Sequence, residues 1–277
     1  MSIMSLLKLK FRSGAKLSKP SHRIYRFGSI VCDLTVPGGF YESNRAEEDS
    51  EITRDFLESN VRNDYHNQFF LVGRLEWPYH TIIPYPGTYD YYGQLTMKLS
   101  LIPYVKSSNI KKSLYDIRDD IFFRYDDFYN AEEHDPKTGR GYNKYKEKSI
   151  YKHYTEEVVV GNEELRNELI NTRILDILIT PPTINVHNNY IKYESEKSLS
   201  KFKSHYCFLF NKYCYLSIEF HHDGWTDRYM KVCLENAQEA ENMIVSSINI
   251  SELLDEDLSD EDLSDNEVRN IKPKSSY

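Results

Sequence analysis

The sequence predicts an α+β fold: antiparallel sheets, each covered by amphipathic helices, in two similar modules. Three observations carry this. Apolar residues alternate with period two in several runs, and two long segments show period three to four instead. The order of these elements is not a regular strand–helix–strand repeat. The composition, 40% hydrophobic and 14% aromatic, supplies a core for 277 residues.

Residues 1–20 read as a flexible basic arm. No acid precedes Asp33, whereas Lys8, Lys10, Arg12, Lys16, Lys19, Arg23 and Arg26 do. The first module spans residues 21–130. Residues 24–36, IYRFGSIVCDLTV, read as one strand stopped by Pro37-Gly38-Gly39. A short helix is expected over residues 51–60 and a strand over 69–76. Leu95, Met97, Leu99 and Leu101 alternate in a further strand. Ile110, Leu114, Ile117, Ile121 and Phe128 then fall on one face of a helix from about Ser108.

Residues 131–148 have little apolar content and a Gly139-Arg140-Gly141 break, so they read as a linker or long loop. The second module spans 149–251. It opens with a strand in TEEVVVG, a helix capped by Asn162 and a strand over 173–179. Residues 203–210 and 213–220 flank Asn211-Lys212 as a hairpin with a two-residue turn. That turn opposes Phe208 to Tyr215 and Tyr206 to Ser217. It places Cys207 and Cys214 on one face as small buried hydrophobes. Met230, Cys233, Ala237, Ala240 and Ile244 recur at helical spacing, and residues 247–250 close the module as a strand. Residues 252–277 hold nine acids against Arg269, Lys272 and Lys274, most of the net charge of −8. They read as an acidic disordered tail.

Function classes narrow quickly. Four cysteines without C-x-x-C spacing suggest neither a disulfide framework nor a zinc site. No apolar run is long enough to span a membrane, and the start lacks a signal-peptide core, so a cytoplasmic setting is expected. The weak charge of the body outside the acidic tail argues against nucleic acid as partner. Nucleophile-elbow, P-loop, dinucleotide and H-E-x-x-H motifs are all missing, so no cofactor is expected.

Two stretches remain. In WPYHTIIPYPGTYDYYG, residues 77–93, three prolines stiffen a tyrosine-rich segment. Trp77 follows directly on a strand and is expected to plug the sheet. Tyr79, Tyr85, Tyr89, Tyr91 and Tyr92, with Asp90, are the expected partner contacts, because stiff tyrosines lose little entropy on docking. The second stretch, His221-His222-Asp223-Gly224-Trp225-Thr226-Asp227, sits between a strand and a helix. His221, His222 and Asp223 could form a metal-dependent catalytic centre, but neighbours in a strand face opposite ways. The competing reading makes this segment a turn and helix cap.

The runs RFGSIVCDLTVPGG, at 26–39, and YCFLFNKYCYLSIEF, at 206–220, followed by GW and AQEAENMIVSSINI, carry a resemblance. They resemble the opening strand and closing hairpin, helix and strand of bacterial immunity proteins that neutralise type VI secretion effectors, especially the lipase-immunity kind. Ser29 stands where arginine is usual in them. The resemblance implies two α+β modules and non-catalytic neutralisation of a secreted antibacterial effector by occlusion. The matched positions are core, so it assigns no contact residue. Two rivals stand beside it: the metal-dependent enzyme, and a viral or phage structural or scaffolding protein that assembles through the arm and tail.

Overall fold

The computed structural model describes residues 14–45, 51–64, 67–80, 91–105, 111–157, 161–195, 201–223 and 230–252. The basic start and the tail beyond Glu252 lie outside them. The elements are α+β as expected. Strands β1 (Lys16–Phe27), β2 (Ile30–Gly38) and β3 (Tyr41–Arg45) precede α1 (Arg54–Asn60). Then come β4 (Arg62–Asp64), β5 (Asn67–His80), β6 (Tyr91–Pro103), α2 (Leu114–Tyr129) and α3 (Tyr142–Lys152), which runs into a π turn, His153–Glu157. The chain continues with α4 (Glu163–Ile177), β7 (Ile184–Val186), β8 (Ile191–Ser195), β9 (Lys201–Leu209), β10 (Cys214–Asp223), α5 (Met230–Ser247) and β11 (Asn249–Glu252).

The halves do not have a sheet each. One eight-stranded sheet runs β3-β5-β6-β10-β9-β8-β7, with β4 paired to β5, and β1-β2-β11 form a second, three-stranded sheet. The seam between the expected modules is the β6–β10 pair, hydrogen-bonded from Cys214↔Pro103 to Asp223↔Gln94. The large sheet is covered on both faces. The small sheet and α5 close one face over Trp77, Met97, Leu99, Leu216, Ile218 and Phe220. Helix α2 covers the other over Ile102, Ile191, Cys207 and Tyr215. Consecutive β10 residues from Cys214 to Ile218 are therefore all buried.

Several expectations need correcting, each for a local reason. Residues 24–36 are a hairpin, not one strand. Gly28 takes φ +57 and turns the chain. Strand β1 begins at Lys16, so the start of the body reaches into the expected arm. Helix α2 begins at Leu114, where Ser113 and Asp116 form a reciprocal capping box.

Residues 131–148 are not a linker. Asp135 accepts from Lys137 N and the Thr138 hydroxyl, Gly141 takes φ +69, and α3 follows. Asn143 donates to Asn130 Oδ1 and Ile179 O and accepts from Ile179 N, fastening this segment to the end of α4. Asn162 caps α4 as expected, but the helix continues through residues 173–177, where a strand was expected.

The β9–β10 turn is the most instructive difference. Asn211 Oδ1 accepts from both Tyr213 N and Cys214 N, so the side chain itself closes the turn. Residues 210–213 form the loop, and the register shifts by one, to Phe208↔Leu216 and Cys207↔Ser217. Cys207 and Cys214 consequently face opposite sides of the sheet. Both are buried and free, as are Cys32 and Cys233. Burial pushes the Cys207 thiol up to about 12, which leaves it unreactive.

Candidate functional site

Both stretches singled out in the sequence leave the large sheet at the same end. Strands β5 and β6 finish and begin at His80↔Tyr91. Next to them, β10 ends at Asp223, opposite Gln94 of β6 on one side and Lys201 of β9 on the other. Strand β8 ends beside these, with Ser195 opposite Lys203. His80, Tyr91, Ser195, Lys201 and Asp223 therefore all lie at one end of one sheet.

The base of the aromatic stretch is core. Trp77 is fully buried and donates to Pro37 O at 3.0 Å. Tyr79 is only 2% exposed, and its hydroxyl donates to Asn236 Oδ1 of α5 at 2.9 Å. A Cβ on Gly14 would lie 2.6 Å from its ring, so Gly14 packs directly on it. Tyr79 is thus a packing residue and not a partner contact, a correction forced by the inward pleat of β5. Tyr85, Tyr89 and Asp90 lie outside the described residues. Tyr91 and Tyr92 begin β6, and their side chains also lie outside them.

His221, His222 and Asp223 do not form one centre. They are successive in β10, so His222 faces α5 while His221 and Asp223 face the other way. His222 is wholly buried, and its Nε2 lies 3.0 Å from Glu241 Oε2. Glu241 also accepts from Ser204 at 2.9 Å and the Tyr206 hydroxyl at 2.5 Å, and Lys192 Nζ is 3.9 Å away. Burial opposes ionisation of Glu241, but the hydrogen bonds from His222, Tyr206 and Ser204 hold its carboxyl below the usual range. This network fastens α5 to the sheet. Among the described residues, no three ligating groups converge on a metal position.

The face that His221 shares is polar and is built by register. Tyr193, His205, Glu219, Lys98 and Arg74 stand directly opposite one another across five strands. Ser195, Lys203, His221 and Thr96 form the neighbouring row. Glu219 bonds Lys98 Nζ at 3.2 Å and faces His205 Nδ1 at 4.0 Å. Burial raises its pKa, but His205, Lys98 and Lys203 together leave it lowered. The His205 ring stacks on Tyr193, 4.4 Å between centroids and 2° from parallel. Its Nε2 shares a 2.8 Å hydrogen bond with Ser195 Oγ. His221 Nε2 is buried with no hydrogen-bond partner among the described residues.

No family model matches the chain, and no curated protein or solved structure shows significant similarity to it. Its residues must speak for themselves. Ser195, His205 and Glu219 escaped the sequence reading because they come from three strands, and only the register brings them together. The expected two-residue turn puts His205 and Glu219 on opposite faces, and only the one-residue shift of register sets them side by side.

Proposed function

We propose that this chain is a protein-binding protein that neutralises a secreted antibacterial effector by occluding it, in the manner of the type VI immunity proteins it resembles. One observation carries the reading. His80 at the end of β5, Tyr91 at the start of β6 and Asp223 at the end of β10 lie at one end of three adjacent strands. Binding surfaces are commonly built from loops held on such a rigid scaffold. Trp77 and Tyr79 are buried at the end of β5, and β6 begins at Tyr91 opposite His80. Occlusion by Tyr85, Tyr89, Tyr91 and Tyr92 needs no bond-making. No helix among the described residues is long and apolar enough to cross a membrane.

Replacing Tyr85, Tyr89, Tyr91 and Tyr92 together by alanine tests this. Full-length wild-type protein should retain one specific partner on affinity capture from its native cells. The variant should lose it at least a hundredfold while keeping its circular dichroism spectrum, since a few aromatic anchors of about 2 kcal/mol each dominate such interfaces. Equal retention would remove the basis of the proposal.

A further inference from the structure

The polar face carries an arrangement that occlusion does not use. Ser195 is the last residue of β8 and is partly exposed. His205, 2.8 Å away through Nε2, is only 7% exposed and is clamped flat on Tyr193. Glu219 stands on the opposite, Nδ1 side of that ring, directly across the strand pair, and Lys98 holds it in turn. A nucleophile, a base and a group that orients the base are thus in sequence, each on a rigid strand.

We infer that Ser195 is a nucleophile with His205 as its general base and Glu219 as the positioning residue, reacting with carboxylic esters. The carboxylate on the Nδ1 side favours the tautomer with its proton there, which leaves Nε2 to accept the Ser195 proton. The Nδ1 to carboxylate distance of 4.0 Å is long for a hydrogen bond, and such contacts tighten when substrate binds. Ser195 Oγ attacks the carbonyl carbon as His205 Nε2 takes its proton. The carbonyl electrons move to oxygen, on the face where Lys203 stands across from Ser195 in the register. His221 follows in the same row, and its buried Nε2 offers a further polar group. When the tetrahedral adduct collapses, the ester C–O bond breaks and the leaving alkoxide takes the proton back from His205. Water then repeats the sequence on the acyl-serine and releases the acid.

The cavity beside His205, lined by Phe69, Ile102, Tyr193 and Glu219, holds about 50 Å³ and does not reach Ser195. It has room for water and is not where the acyl group sits. The ester approaches from the partly exposed side of Ser195.

The test uses the isolated full-length chain, with a fluorophosphonate as probe and p-nitrophenyl acetate as ester. The expected result is a single adduct on Ser195, located by peptide mass spectrometry, and none on S195A. H205Q, at an unchanged melting temperature, should label at least tenfold more slowly. E219Q should also slow labelling, and E219D should recover part of the rate. The inference is overturned if folded wild type gives no adduct, if S195A labels equally, or if folded H205Q labels at the wild-type rate. S195A leaves the core untouched, so it decides the matter if H205Q fails to fold. No partner is present in this assay, so its outcome is separate from that of effector binding.

Discussion

Glu241 shows what a single residue does here. It is 5% exposed and accepts from His222, Ser204 and Tyr206, so α5 is bolted to the sheet through one carboxylate. Removing one partner of a buried ionic network leaves the others desolvated and unpaired. E241A should therefore cost about 3–5 kcal/mol, read as a fall in the urea midpoint. The pH dependence has a definite sign. The folded carboxyl titrates below its ordinary 4.5, so its contribution is present at neutral pH and lost as pH falls through the folded value. Between about pH 6 and pH 3 the wild-type midpoint should fall more than that of E241Q, whose amide does not titrate. Little of this network was legible. Helical spacing put Ala237, Ala240 and Ile244 on the buried face, but nothing in one strand's alternation says that its polar residues meet a glutamate on a distant helix.

At the scale of elements, periodicity was readable and connections were not. Strands β5, β6, β9 and β10 and helices α2 and α5 follow apolar patterns seen in the sequence, whereas α4 was visible only at its Asn162 cap. The β1–β2 turn left a trace that went unused. Tyr25 and Phe27 are buried at odd positions, Cys32, Leu34 and Val36 at even ones, and the parity flips at Gly28-Ser29. A continuous strand cannot do that. The β9–β10 turn left no such trace, because Asn-Lys suits a two-residue loop as well as a side-chain-closed one of four. Asn211 also donates to Ile52 O. N211A should destabilise by about 2 kcal/mol through two unpaired backbone amides, measured by chemical denaturation. N211D, which keeps an acceptor oxygen, should recover much of that. Equal loss in both variants would show that the side-chain oxygen does not set the register.

The molecule as a whole differs most from its sequence reading in cooperativity. Two similar modules were expected because strands and a late helix recur in each half. The recurrence is real in order, but β6 and β10 pair across the supposed boundary and make one sheet. Which strands become neighbours depends on long-range register, which local pattern does not encode. Amide protons of β6 and β10 should accordingly exchange through one global opening, with slopes against denaturant that merge. Separate openings for residues 91–103 and 214–223 would mean the halves fold apart. The same sheet brings His80, Tyr91 and Asp223 to one end, and the proposed occluding surface rests on that placement. The most direct measurement is growth protection. Cells expressing the captured partner alone should stop growing, cells that also express the wild-type chain should grow, and cells expressing the Tyr85, Tyr89, Tyr91 and Tyr92 alanine variant should not. Full protection by a folded variant would contradict the account.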